Sequence, residues 1–449
     1  MTAILQRFFN VRAGEFAPIL TAGLYFFCVL TSLMVLRPAR DAIGMEGGLD
    51  GIRWLFIGTA LVTLAVNPAF GWLVSRFRRL AFITATYGFF ALSLVGFYVL
   101  IALAPDAVGS ASGRVFYVWF SVFNLFSTMV FWALMADRFS LEQSKRIFGI
   151  IAVGGTLGAI FGPWLAGQLV APLGTAAMLL VSALFLGLAV VAAWLVARLQ
   201  PEVAQKVAES SPASVDRGVI GGNAWAGISA VFRSPYLLGI SSYVLLMTVI
   251  GTFLYFTRLA MVAAAADDTD ARTAIFANID LLTQIVTLVL QMIVTGHIMK
   301  RFGVSVALIL LPIVVSFGFI GLAMAASFAV LILFEASFRA VQRAITRPAR
   351  ETLFTVVTRE EKYKSKAFTD TFVYRGGDVV GAWTEGGLRA LGLGLVGLAS
   401  VAIPLAVVWA GLGLWLGRQQ TRVTQSRARA AERAEPGTAD AAPQSEAAG

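Results

Sequence analysis

The sequence predicts an all-α membrane protein, with twelve transmembrane helices in two six-helix halves. Three observations predict it. Apolar runs of about 20 residues, the length that crosses a bilayer, recur along most of the chain. The composition is 58% hydrophobic and only 13% charged, against about 25% charged in an ordinary soluble domain. Short patterns in the first half return in the second. A β-barrel would instead show alternating segments of about 10 residues.

Spans 1 to 6 are read at residues 16–37, 52–74, 80–104, 114–136, 147–170 and 176–198. Spans 7 to 12 are read at 236–257, 275–299, 303–325, 328–348, 367–390 and 394–417. Basic residues bound them in order. Span 1 follows Arg12 and stops at Arg37. Span 2 starts beside Arg53 and stops before Arg76. Span 3 follows Arg79, span 4 runs from Arg114 to just before Arg138, span 5 follows Lys145 and Arg146, and span 6 stops at Arg198. Span 7 lies between Arg233 and Arg258, and span 8 between Arg272 and Lys300. Span 9 follows Arg301, span 10 stops before Arg350, span 11 follows Lys366, and span 12 stops before Arg418.

Residues 1–199 form the first half and 236–417 the second. Between them 200–235 is a polar, cytoplasmic linker with Pro201, Ser210, Ser211 and Pro212; such stretches mark boundaries between compact units. The tail at 418–449 is polar and too poor in apolar residues to fold, so disorder in the cytoplasm is expected.

The even-numbered loops hold most of the basic residues, and the N-terminus and tail share that bias. Under the positive-inside rule both termini are cytoplasmic. That rule explains the net charge of +10 better than nucleic acid does. No cleavable leader is evident after Arg7 and Arg12. The excess of arginine over lysine, with abundant alanine, leans towards a bacterium, which makes the inner membrane the expected location. The single cysteine, Cys28, leaves no intrachain disulfide and no multi-cysteine metal site. With His297 the only histidine, no metal site and no cofactor are expected.

The chemistry concentrates between Glu335 and Asp378. Glu335, Arg339, Arg343 and Arg347 recur every fourth residue, which keeps them on one slowly turning helix face. Span 11 adds Asp370, Tyr374, Arg375 and Asp378. Ionisable groups at membrane depth normally face a cavity or one another. Two readings compete: a solute pathway, or a salt-bridge cluster that only locks helices together. Three arginines beside the single Glu335 favour the pathway. Guanidinium groups grip phosphate and carboxylate as a fork and stay charged. Arg339, Arg343 and Arg375 therefore point to an anionic solute. Arg37 and Arg40 are expected at the outer mouth and Arg347 at the inner one.

Polar stripes mark other helices. Span 4 has Tyr117, Ser121, Asn124 and Thr128; span 8 has Asp280, Gln284, Thr287 and Gln291; span 1 has Thr21, Tyr25, Cys28 and Ser32. Such a stripe faces protein or water rather than lipid. Interhelical hydrogen bonding accounts for any one of them as well as solute contact does. Asp280, Glu335 and Asp378 could hold the arginines when the site is empty, or take a coupling proton.

The repeat is specific. Gly71-Trp-Leu-Val-Ser-Arg76-Phe77 ends span 2, and Gly296-His-Ile-Met-Lys-Arg301-Phe302 ends span 8. Gly154 and Gly155 of span 5 correspond to Gly376 and Gly377 of span 11. Two halves of like orientation are related by an axis along the membrane normal.

At these residues the chain resembles the major facilitator superfamily. Gly71, Arg76, Arg78 and Arg79 resemble its loop 2–3 motif, G-x-x-x-D-R-x-G-R, with Ser75 and Arg78 in place of the aspartate and second glycine. The resemblance implies a gating role for Arg76 and its repeat Arg301. Gly149, Gly158, Gly162, Pro163 and Gly167 resemble the helix 5 antiporter motif; close helix packing by small residues explains them equally. The superfamily lines its central cavity with helices 1, 4, 7 and 10. Leu24 to Cys28, followed by Leu36, Arg37, Pro38, Ala39, Arg40 and Asp41, resembles the nucleotide (ATP/ADP) translocase family, which carries a similar aromatic run and then L-R-x-x-K-D. Arg40 stands where that family has a lysine. Asn124 is the nearest polar residue to the acid that the family carries on helix 4.

The expected function is a secondary transporter that exchanges an organic anion, a nucleotide or phosphorylated metabolite among the candidates, by alternating access. A proton-coupled drug or metabolite antiporter is the alternative. A membrane interaction protein that lost transport is a third. The solute contacts expected are Arg37, Arg40, Asn124, Gln284, Arg339, Arg343 and Arg375. The coupling or gating groups are Asp280, Glu335, Asp378, Arg76 and Arg301. Beyond solute and lipid bilayer, neither nucleic acid nor an obligate protein partner is expected. No nucleophile–base pair suggests an enzyme. No Gly-x-x-x-x-Gly-Lys loop is present, so a nucleotide would be cargo and not fuel.

Overall fold

A computed structural model describes the backbone of residues 12, 14–76, 79–104, 106–200, 224–294 and 297–434. The side chains of 67–79, 293–302 and a few scattered positions lie outside that description. So do most of the linker and the last residues of the tail.

The described residues form helices joined by short turns. The first half contains α1 (Phe16–Gly44), α2 (Gly48–Arg76), α3 (Arg79–Ala102), α4 (Asp106–Arg138), α5 (Leu141–Leu173) and α6 (Ala177–Leu199). A short helix, Ala224–Arg233, closes the linker region. The second half contains α7 (Pro235–Ala265), α8 (Thr269–Val294) and α9 (His297–Met324). Next, α10 runs from Phe328–Val341 through a π-helical turn, Gln342–Thr346, into Arg347–Leu353. Likewise α11 runs from Arg359–Phe368 through a π-helical turn, Thr369–Val373, into Tyr374–Ala390. Last comes α12 (Leu395–Ala434). Among the described residues nine helical runs are long and apolar enough to cross a membrane, the first covering both α1 and α2. The charged α10 and α11 are not among them.

Local chemistry sets several boundaries. Ser140 accepts from the Gln143 N–H while the Gln143 side chain accepts from the Ser140 N–H, a reciprocal cap that starts α5. Ser234 caps α7 just ahead of Pro235, which lacks the N–H that the first turn would leave unbonded. The α9 helix bends at Gly303, whose φ of 77° is open to glycine. Several helices outrun their predicted spans, α4 and α7 by eight residues at one end. The α1 helix carries Pro38 inside it and continues to Gly44. The α12 helix continues to Ala434, where disorder from residue 418 was expected. Alanine and arginine, both strong helix formers, dominate that extension.

Two hydrophobic cores result. Tyr25, Phe26, Phe131 and Leu186 belong to one, built almost wholly from the first half. Tyr243, Phe253, Phe334 and Trp409 belong to the other, with Ala42, Ile52 and Tyr117 joining it from the first half. Glycines fit each half together. A Cβ on Gly162 of α5 would stand 2.7 Å from the Met34 Cβ on α1, and Gly154 and Gly158 pack against the α1 backbone. In the second half a Cβ on Gly381 of α11 would stand 2.8 Å from the Thr252 Cβ on α7, and Gly377 packs on Thr248. The small residues of span 5 are thus a packing seam, repeated between α11 and α7. In the predicted repeat, Gly155 and Gly377 are both contact glycines, while Gly376 faces open space.

The halves meet at the end of the bundle that is poor in basic residues. The Thr175 N–H donates to Asp270 Oδ1 at 2.7 Å, and the Thr175 and Thr273 hydroxyls meet at 2.8 Å. Arg53 of α2 donates to Glu385 of α11 at 2.8 Å and to the Ala382 carbonyl at 3.2 Å. The Trp54 and Trp383 rings meet edge-on at 5.1 Å.

Candidate functional site

The end of α1 brings Arg37, Arg40 and Asp41 to one region of the interior. Arg40 pairs with Asp41 at 2.7 Å and lies 3.9 Å over the Tyr117 ring of α4. Such a cation over a ring contributes about 0.5–1 kcal/mol when exposed and about 2 when desolvated. The Tyr255 hydroxyl of α7 donates to Asp41 Oδ1 at 2.9 Å and meets the Tyr117 hydroxyl at 3.0 Å. One carboxylate thereby ties α1, α4 and α7 together.

Arg258 of α7 lies just beyond. It is fully buried, and a lone buried charge would be prohibitively unfavourable. Three helices supply its carboxylates. It donates to Asp280 of α8 at 2.9 Å and stands 3.6 Å from Glu335 of α10 and 3.8 Å from Asp41. Asp280 also faces Arg37 at 3.7 Å and Arg339 at 3.8 Å. Arg339 in turn donates to Glu335 at 3.0 Å.

Beside this network a cavity of about 380 Å³ lies between the halves, within the usual range of about 300–1,000 Å³ for small-molecule sites. Its wall comes from α1, α2, α4, α7, α10 and α11. Among the described residues five arginines line it, Arg37, Arg40, Arg339, Arg343 and Arg375, against two carboxylates, Glu335 and Asp378. Asp378 accepts from Arg375 at 3.3 Å. Arg343 is exposed to the cavity, and no carboxylate lies within 4.0 Å of it among the described residues. The π turn of α10 carries Gln342 and Arg343, and the π turn of α11 ends directly before Tyr374 and Arg375. An extra residue in a turn re-aims the side chains around it, and such turns gather at functional sites.

The structure brings together most of the residues singled out from the sequence. Arg37, Arg40, Arg339, Arg343, Arg375, Glu335 and Asp378 share the one cavity. Asp280 is buried behind its wall. Arg37 and Arg40, expected at an outer mouth, line the cavity between the halves. The α1 helix continues past them, and Asp41, Asp280 and the Tyr117 ring compensate their charge inside. Asn124 is exposed and lies beyond the lining, although Tyr117 and Ser121 of the same stripe reach it. Gln284 is buried within α8, also away from the lining. Arg347 is exposed outside the cavity. The side chains of Arg76 and Arg301, and the whole of Arg78, lie outside the described residues.

Sequence reading missed Arg258, Tyr255 and the Arg53–Glu385 pair. Arg258 carried a signal: it is the one charged residue of the long α7. Span 7, drawn to residue 257, stopped one position short of it. Arg53 pairs locally with Asp50, but Glu385 and Ala382 lie more than 300 positions away, so no local pattern links Arg53 to them.

The sequence profile of the Major Facilitator Superfamily matches residues 19–346. No curated protein sequence matches the chain. Several solved structures resemble it. A bacterial homolog of the human lysosomal transporter Spinster, inward-facing and unoccupied, has a TM-score of 0.62 at 12% identity over 92% of this chain and 99% of that one. A mutant of the nucleoside transporter NupG has a TM-score of 0.56 at 12% identity, covering 90% and 98%. The POT family transporter PepTSo has a TM-score of 0.59 at 12% identity, covering 92% and 98%. At such identity these likenesses concern the fold alone.

Proposed function

The chain belongs to the Major Facilitator Superfamily, and from that premise we propose that it carries an organic anion across the membrane by alternating access. It is a multi-pass membrane protein and a transporter rather than an enzyme. One observation carries the choice of an anion: five arginines surround the cavity, and Arg343 points into it with no carboxylate within 4.0 Å among the described residues. An empty site of that kind holds excess positive charge at membrane depth, which an anion with fork-compatible oxygens would neutralise. Nucleotides and phosphorylated metabolites are the first solutes to test. They combine such oxygens with a body that Phe56, Tyr117, Tyr255 and Phe338 in the wall could hold.

Contacts between the halves at the end poor in basic residues support an inward-facing state, with the basic end in the cytoplasm of a bacterial inner membrane. Rocking the halves would break Arg53–Glu385 and Thr175–Asp270 and expose the cavity to the other side. Exchange is the mode we favour, since an anion bound between Arg339 and Arg343 replaces the charge balance that emptying the site removes. Glu335 and Asp378 in the wall favour proton-coupled antiport as the second reading.

The test is a melting-temperature screen of the purified protein against nucleotides, sugar phosphates, dicarboxylates, organic cations and neutral sugars. A ligand of the folded state raises apparent stability. Hits are then assayed for counterflow in liposomes with and without a proton gradient. Stabilisation and flux with anions are expected. Response to cations or neutral sugars alone would overturn the anion reading, and flux that follows the proton gradient without counter-solute would replace exchange by antiport.

A further inference from the structure

A second, larger recess lies on the opposite face of α4 from the transport cavity. It holds about 1130 Å³ between α2, α3 and α4, and its wall is almost wholly apolar. Gly58 of α2 and Ala81 and Ala85 of α3 make it deep, while Phe89, Val118 and Val122 line its sides. Among the described residues one charged residue belongs to it, Arg114. That side chain is exposed, lies against the turn between α1 and α2 at Gly47, and has no carboxylate within 4.0 Å among the described residues.

We propose that this groove binds an anionic phospholipid of the surrounding bilayer, its acyl chain along the groove and its phosphate on Arg114. Length and charge placement both support that occupant. The α4 helix rises about 18 Å between Arg114 and Phe126, the two ends of its contribution. One leaflet of hydrocarbon is half of about 30 Å, so a lipid chain matches the groove. The α4 helix has 33 residues, roughly 50 Å, so its first turns stand clear of the hydrocarbon and Arg114 falls at headgroup level. A guanidinium with no carboxylate beside it takes phosphate oxygens as a fork. A water-borne anion would gain nothing from the apolar length of the groove. The lipid would seat α2, which carries Phe56 and Thr59 into the transport cavity from its other side.

The test measures the melting temperature of purified protein in detergent against added phosphatidylglycerol, phosphatidylcholine with the same chains, and inorganic phosphate. Wild type, Arg114→Gln and Ala85→Trp are compared, with native mass spectrometry counting retained lipid. Saturable stabilisation by phosphatidylglycerol above that by phosphatidylcholine is expected, with no response to phosphate. Arg114→Gln should need roughly tenfold more phosphatidylglycerol, as for loss of one charge-assisted bond. Ala85→Trp, which fills the groove, should abolish both the stabilisation and lipid retention. If that variant does not insert, Thr86→Phe on the same wall serves. Equal responses to the two lipids, an equal shift with phosphate, or undiminished retention in the filled variant would overturn the proposal.

Discussion

Arg258 and Asp280 hold one another at 2.9 Å in the closed interior, Arg258 with none of its surface exposed. This pair joins α7 to α8, and Asp41 and Glu335 extend it to α1 and α10. Removing one partner of a buried pair costs about 3–5 kcal/mol, because the other charge is left without compensation. Arg258→Met should therefore lower the unfolding stability in detergent by about that amount. Adding Asp280→Asn should recover part of the loss. A single variant as stable as wild type would mean that water reaches the pair.

Arg339 tests the transport site. Arg339→Gln should weaken anion binding roughly tenfold or more, for loss of a charge-assisted bond of about 1.5–3 kcal/mol. Lysine should restore only part, since it keeps charge without the planar fork. If Arg339 serves only to pair with Glu335 at 3.0 Å, affinity stays unchanged. Stability is then lost in Arg339→Gln and regained in the double variant with Glu335→Gln. Affinity and melting temperature of both single variants and the double variant separate the two roles.

The α1–α5 seam makes a prediction about packing. Gly162→Leu pushes a side chain into the Met34 and Val35 region of α1. Overpacking of this kind typically costs about 1–3 kcal/mol. Gly149→Ala in the same helix meets nothing within 4 Å and should be neutral. Equal melting temperatures for Gly162→Leu and wild type would show that the two helices separate freely.

Glu15 supplies a pH dependence just outside the first span. Partial burial acts to raise its pKa, but hydrogen bonds from the Arg146 guanidinium, the Arg12 N–H and the Gln143 side chain outweigh it and hold the pKa at about 2. A depressed folded pKa means that the stabilisation is complete above the ordinary carboxylate value of 4.5 and declines as pH falls from there towards 2. Wild type should melt above Glu15→Gln at pH 6, and the gap should narrow by pH 3.5. A gap that does not change with pH would assign Glu15 to packing alone.

The proposed orientation is open to labelling in a Cys28→Ser background. Asp268→Cys in the turn between α7 and α8 should react with an impermeant thiol reagent added outside intact cells. Reaction only after the membrane is opened would reverse the orientation.

The sequence by itself determined the class of fold and the chemistry of the cavity wall. Apolar runs at bilayer length leave little choice but helices, because backbone groups in lipid must be bonded within their own segment. Charges inside those runs are unfavourable enough that Glu335, Arg339, Arg343 and Arg375 declared themselves before any contact was known. Tertiary structure alone decided where the charges went. Helical spacing places a residue on a face but does not say which helix packs there. Asn124 and Gln284 share stripes with Tyr117 and Asp280, yet both lie away from the cavity lining. Arg37 closed a span judged by hydropathy and Arg40 lay past it, and buried partners on α4 and α8 drew them inside. The pairing of Arg53 with Glu385, and of Arg258 with Asp41, Asp280 and Glu335, arises from the approach of helices far apart in the chain. Such long-range compensation leaves no periodic mark in any one segment, and so only the folded molecule shows it.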